Sequence, residues 1–134
     1  MVTRIATSVF LLLVVVGSSL AAGAFRFPSD RITPIEWAIY LAEVKALPGV
    51  QIKESNQQTT ITQAKPNAVI YSFTTAKNPA HPGVVIREIV KRDDGYYVER
   101  KGHYGGDALE FDRWWHAFDA LDEKLKSELN KKPK

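Results

Sequence analysis

The side chains best able to move a proton in this sequence are His81, His103 and Asp107. His81 lies in the run Thr75-Ala76-Lys77-Asn78-Pro79-Ala80-His81-Pro82-Gly83, where two prolines and a glycine limit the backbone freedom around its imidazole. A histidine held in place, next to a second imidazole and oriented by a carboxylate, is the arrangement of general acid/base catalysis. On that reading the chain is a small hydrolase or isomerase with its site at one end of a sheet. The plainer reading gives each residue a structural task. His81 sits in a rigid turn, His103 ends a strand, and Asp107 caps the last helix, which occupies its carboxylate. We prefer the plainer reading, because the chain offers no nucleophile to accompany the histidines: it has no cysteine, no Gly-x-Ser-x-Gly and no Ser-x-x-Lys.

Metal and cofactor chemistry are equally poorly provided for. A metal site needs about three or four spaced ligands; the third histidine, His116, falls on the helix face opposite Trp114. Gly102, Gly105 and Gly106 before Asp107 do not follow the dinucleotide fingerprint, and no βαβ unit surrounds them. Neither a metal nor a cofactor is expected.

A second group of residues suits contact rather than catalysis. Lys91, Arg92, Arg100 and Lys101 interleave with Tyr96 and Tyr97 around Asp93-Asp94-Gly95, forming a basic, aromatic hairpin. In the adjacent pair Trp114-Trp115, the side chains leave a helix about 100° apart. Trp114 therefore joins the apolar seam with Phe118, and Trp115 lies at its flank, placed either to roof the core or to anchor a partner. Tyr97, Arg100, Lys101 and Trp115 are the expected binding residues, for a protein or an anionic envelope ligand. Nucleic acid is not expected: there are 18 basic against 15 acidic side chains, and one of the basic residues is Arg4.

The elements that must position these groups begin after an export signal. Arg4, the apolar run Val9 to Val16, and Ala22-Gly23-Ala24 have the order of a secretory signal peptide, with cleavage expected after Ala24. An uncleaved anchor is the alternative, since Ile5 to Ala24 approaches the length of a membrane span. Of the 45% apolar residues, a disproportionate share lies in this segment; the remainder is enough for one small core. The chain is therefore read as residues 1–24, a signal peptide, and residues 25–134, one domain. A cysteine-free exported chain points to a periplasmic or secreted protein, more plausibly bacterial, with no membrane contact after cleavage.

Within the domain, Thr33-Pro34-Ile35-Glu36 reads as a capping box with proline at the first helical position. Trp37, Tyr40, Leu41, Val44 and Leu47 form the buried stripe, and Pro48-Gly49 ends it. Ile35 and Ile39 lie off the stripe, either as a second contact surface or, the reading we prefer, because the helix is wedged between a sheet and another helix. Short β-like runs follow at Val50 to Ile52, Thr59 to Gln63, Val69 to Thr74, Val84 to Arg92 and Tyr96 to His103, with Lys65-Pro66-Asn67 as a turn. In the preferred hairpin register, a three-residue loop with Gly95 in the left-handed position, Val90 lies opposite Val98, Glu88 opposite Arg100, and His103 opposite Val85; a two-residue Asp94-Gly95 turn, which places Val90 opposite Glu99, is the alternative. That register also brings His81 toward Gly105 and Gly106. Asp107-x-x-Glu110 starts a final helix, Ala108 to Glu128, with a seam of Phe111, Trp114, Phe118, Leu121 and Leu125. Residues 25–32 and 130–134 are expected to fray.

The predicted fold class is α+β, a four-stranded antiparallel meander flanked by an N-terminal and a C-terminal helix that pack on one sheet face, leaving the other face open. The corresponding function is an exported, non-enzymatic binding domain of the cell envelope. The histidine-based enzyme and the anchored envelope component are the alternatives; the sequence does not specify an oligomeric state.

Overall fold

A computed structural model describes residues 30–65 and 67–131. The expected signal segment, residue 66 of the predicted turn and residues 132–134 lie outside the described residues. The order is helix α1 (Pro34–Lys45), strands β1 (Gln51–Glu54), β2 (Gln58–Gln63), β3 (Val69–Thr74), β4 (Gly83–Arg92) and β5 (Gly95–Tyr104), then helices α2 (Ala108–His116) and α3 (Asp119–Leu129). The class is α+β, built on one antiparallel sheet in the order β1-β2-β3-β4-β5. Among the described residues no helix is long and apolar enough to cross a membrane.

The sheet has five strands, not four. The fifth is β1, which overlaps the β-like run at Val50 to Ile52 that the count of four strands left out; all four of its residues are exposed, so it adds little to the core. It is held by its ladder to β2, where Ile52 faces Ile61, and by the turn in which Ser55 N donates to Gln58 O at 2.8 Å.

The helices do not share a face. Val84 is buried with Tyr40, Val44, Ile61, Tyr71 and Phe73, beneath α1. Its neighbour Val85 is buried with Phe111 and Phe118, beneath the C-terminal helices. Successive residues of a strand point to opposite faces, so α1 covers one side of the sheet and α2–α3 the other. The run Val84-Val85-Ile86 is apolar on both phases because both faces are covered, and the expected open sheet face does not exist. Ile35 and Ile39 are not wedged between elements; they are 71% and 50% exposed on the outer side of α1.

The α1 capping box forms as read: Thr33 Oγ1 accepts from Glu36 N at 3.0 Å, and Glu36 Oε1 accepts from Thr33 N at 2.8 Å. The last helix, expected to be continuous, breaks at Ala117-Phe118. Ala117 N and Phe118 N reach Trp114 O and Trp115 O, three residues back, at 3.1 and 3.2 Å. This tightening shifts the helical phase. Phe118 stays in the core, but Leu121 turns outward to 53% exposure and Asp122 turns toward the sheet.

The β4–β5 hairpin takes neither of the registers that Asp94-Gly95 suggests. Arg92 pairs with Gly95 across a two-residue Asp93-Asp94 turn, placing Val90 opposite Tyr97, Glu88 opposite Glu99, Arg87 opposite Arg100, and His103 opposite Val84. Pairing like with like contributes only a fraction of a kcal/mol per pair. The observed register instead places Gly102 opposite Val85, where the rings of Phe111 and Trp115 lie against the strand. A Cβ on Gly102 would come within 2.7 Å of the Phe111 ring and 2.8 Å of the Trp115 ring. Nor does the chain before α1 fray throughout. Ile32 is buried, and Tyr104 N donates to Asp30 O while Ile32 N donates to Tyr104 O, at 2.9 and 2.8 Å.

Candidate functional site

The Pro-rich loop is rigid, and its rigidity is directed inward. Asn78 Oδ1 accepts from Ala80 N at 2.9 Å while its Nδ2 donates to Gln57 O at 3.1 Å, tying the loop to the β1–β2 turn. The His81–Pro82 peptide is cis. His81 Nδ1 lies 2.7 Å from Thr74 Oγ1, which also accepts from Gly83 N at 2.9 Å. Trp37 stands edge-on to the imidazole, with centroids 4.8 Å apart, and its Nε1 donates to Gly83 O at 2.8 Å. His81 is thus oriented by a hydroxyl and an indole, with no carboxylate among those partners.

The expected convergence with Gly105 and Gly106 does occur, through the backbone: Gly105 N donates to Pro82 O at 2.8 Å, and a Cβ on Gly106 would meet His81 O at 2.5 Å. Asp107 Oδ1 accepts from Glu110 N at 2.9 Å and caps α2. His103 projects from β5 on the α1 side of the sheet, opposite Val84. Among the described residues no three His, Asp or Glu side chains group with metal-binding geometry. His116 is exposed and lies between Asp112 and Asp119.

Burial lowers the His81 pKa below its ordinary 6.5, against the opposing pull of Thr74. A histidine with a depressed folded pKa contributes stability that is present above pH 6.5 and is lost as pH falls through the folded value. We therefore expect urea denaturation midpoints to fall between about pH 7 and pH 5, and His81→Gln to remove that part of the slope. An unchanged slope in the variant would contradict this.

The four residues expected to make contacts assemble elsewhere, along β5 and the helices beside it. Arg100 is their centre. Its guanidinium lies over the Trp115 ring at 4.3 Å; Nη2 donates to Asp119 Oδ1 at 2.5 Å, and Nη1 donates to Asp122 Oδ2 at 3.2 Å. Asp122 also faces Arg87, with Nε 3.2 Å from Oδ1, close but not aligned as a hydrogen bond. Arg87 is 8% exposed and lies over the Phe118 ring at 5.1 Å. Burial pushes the Asp122 carboxyl up and the Arg87 guanidinium down. Each is the other's counter-ion, and arginine does not surrender its proton, so the pair remains charged at neutral pH. Arg100 and His116 hold the exposed Asp119 carboxyl below the usual carboxylate range.

Two grooves open on either side of this ledge. One, of about 490 Å³, is lined by Asp30, Gly102, His103, Tyr104, Ala108, Phe111 and Asp112 together with Arg100, Lys101 and Trp115, so His103 borders it. The other, of about 430 Å³, is lined by Tyr97, Val98, Asp122, Glu123 and Lys126 with Arg100 and Trp115. Tyr97 donates its hydroxyl proton to Asp94 Oδ2 at 2.6 Å and carries Arg92 and Lys126 over its ring, each at 4.7 Å. Lys101 is exposed. Tyr97, Arg100, Lys101 and Trp115 therefore form one surface strip, whereas His81 and Asp107 are taken up by the fold.

Arg87, Asp119, Asp122 and Asn130 complete this region and were not singled out from sequence. Two signals for them were present: an arginine inside the apolar run of β4, and carboxylates three residues apart at the start of α3. Compared with known proteins, the chain matches no family model, no curated protein and no solved structure.

Proposed function

We propose that the chain is an exported, non-enzymatic binding domain of the cell envelope that meets a protein partner along β5. The observation that carries the reading is the Arg100–Trp115 ledge with a groove on each side, a preformed concave surface with an aromatic and a guanidinium at its centre. Aromatic and arginine side chains dominate binding energetics in such places. Arg100 is held by two carboxylates and a ring, so little conformational entropy remains to be lost on binding. The enzyme reading has less support, since His81 is committed to Thr74 and Asp107 to a helix cap.

A photoreactive side chain placed at Lys101 tests the proposal in cells exporting the protein. One adduct of discrete mass is expected, reduced at least about tenfold by Tyr97→Ala or Trp115→Ala and unchanged by His81→Ala. Adducts insensitive to Tyr97 and Trp115, or lost with His81, would overturn the reading. A polydisperse adduct would replace the protein partner with an anionic envelope polymer.

A further inference from the structure

Asp94 is followed by a glycine that the packing of α3 requires. The Asn130 side chain closes β5 at Tyr96: Oδ1 accepts from Tyr96 N at 2.8 Å, and Nδ2 donates to Tyr96 O at 3.0 Å. A Cβ on residue 95 would collide with Asn130 Oδ1. The fold therefore sets a residue without a side chain directly after an exposed aspartate, in the only Asp-Gly pair of the sequence. In such a pair nothing shields the glycine nitrogen from the aspartate carboxyl carbon.

We infer that Asp94-Gly95 is a site of isoaspartate formation, and that the Tyr97 hydroxyl restrains the reaction in the folded chain. Gly95 N attacks Asp94 Cγ; the new N–C bond closes a succinimide, and the carboxyl oxygen leaves as water with the Gly95 amide proton. Water then adds back. Attack at Cγ restores aspartate, whereas attack at the Asp94 backbone carbonyl breaks its bond to Gly95 N. The chain then runs through Cγ, and the former backbone carbonyl becomes a free carboxylate. No oxidant, metal or cofactor enters, and the composition of the chain is unchanged.

The restraint is a single contact with two effects. Tyr97 donates its hydroxyl proton to Asp94 Oδ2 at 2.6 Å, which limits rotation of the carboxyl toward Gly95 N. The oxygen leaves readily only from a protonated carboxyl. The Tyr97 hydroxyl, assisted by the amide of Asp94 itself and by the charges of Arg92 and Lys126, holds this carboxyl below the usual carboxylate range and so keeps it in the unreactive form.

The product would alter the contact strip. Isoaspartate adds one atom to the main chain between Arg92 and Gly95, which pair directly across the turn, and removes the acceptor that Tyr97 now uses. Tyr97 lines one of the two grooves. The reaction itself needs no partner, so it is tested independently of the proposed function.

The purified protein and its Tyr97→Phe and Tyr96→Phe variants are held for several weeks at physiological temperature and mildly acidic pH, folded and in urea. Isoaspartate is counted by methyl transfer with protein isoaspartyl methyltransferase and placed by electron-transfer fragmentation, which cuts it between Cα and Cβ. Folded Tyr97→Phe is expected to form isoaspartate at position 94 at least about threefold faster than the unsubstituted chain, the gain that loss of one hydrogen bond implies. Tyr96→Phe, which removes the neighbouring hydroxyl, should keep the original rate, and in urea all three chains should convert alike. Thermal unfolding of each variant checks that the folded samples are folded. Equal rates in the folded unsubstituted and Tyr97→Phe chains, or the same acceleration by Tyr97→Phe in urea, would remove Tyr97 as the restraint and overturn the inference. Absence of isoaspartate at position 94 from both folded chains, while the unfolded chain converts, would overturn the site itself.

Discussion

Replacing Asp122 by alanine is expected to destabilise the protein by about 3–5 kcal/mol, because it leaves the Arg87 guanidinium inside the fold with no carboxylate beside it. Arg87 is 8% exposed, and Asp122 is the acidic side chain it meets. For a domain of this size the change corresponds to a fall in Tm of roughly 10–25 °C. The same substitution removes one of the two carboxylates that orient Arg100, so the ledge over Trp115 should loosen as well. Asp119→Ala is the control. It removes the other partner of Arg100, but at a side chain that is 56% exposed, where solvent screens the ion pair and the loss should be much smaller. Replacing Arg87 and Asp122 together by apolar residues of similar volume should recover most of the loss. Thermal unfolding of the three variants separates the cases; equal losses for Asp119→Ala and Asp122→Ala would contradict the assignment.

Phe118→Ala is the second large effect, also about 3–5 kcal/mol. Phe118 is 3% exposed at the junction between α2 and α3, packed edge-on against Trp114 and beneath Arg87. No residue of α3 itself is buried, so the helix is held at this hinge, by the Asp119 and Asp122 ion pairs, and by Asn130 at its far end. Emptying the Phe118 position removes the apolar part of that attachment and uncovers the arginine. The cost should therefore not add to that of Asp122→Ala: residues that share a partner couple by about 0.5–3 kcal/mol, and Arg87 touches both. Urea denaturation of the two single variants and the double variant measures the coupling. Simple additivity would indicate that Phe118 and the ion pair act separately. Phe118→Leu, which retains most of the volume, should cost less than half as much as the alanine variant.

Both variants concern contacts that span faces and elements, and this was the part of the structure least legible in the sequence. Local signals translated well. The Thr33 capping box, the Asp107 cap and the stripe Trp37, Tyr40, Val44 appear as spacing alone implies. The antiparallel order of β2 to β5 also appears as read, although the register of β4 with β5 does not. The structure departs from local preference where that preference competes with packing elsewhere. The hairpin register followed cross-strand charge pairing, a weak term, while the structure follows the need to set Gly102 under two aromatic rings. The placement of the helices followed the count of amphipathic stripes, yet consecutive Val84 and Val85 already carried apolar groups for two covered faces. Leu121 was assigned to the seam because a continuous helix keeps its phase, and the tightened turn at Ala117-Phe118 does not.

The contact strip was legible in kind and not in construction. Tyr97, Arg100, Lys101 and Trp115 were identifiable as a basic and aromatic group, and they do share a surface. That β5 would be an edge strand closed at Tyr96 by an asparagine from the end of α3 has no local signature, because Asn130 and Tyr96 are 34 residues apart. Gly95 is what admits it. The glycine takes φ 141°, and a Cβ there would collide with the Asn130 side chain.

Amide hydrogen exchange along β5 of the free protein tests the central claim most directly. An open edge closed at both ends predicts an alternating pattern: slow exchange at Tyr96 and Tyr104, slow exchange at Tyr97, Glu99 and Lys101 through the β4 ladder, and fast exchange at Val98, Arg100 and Gly102. Uniformly slow exchange from Tyr96 to Tyr104 would mean that the edge is already paired, and would contradict a binding surface along β5.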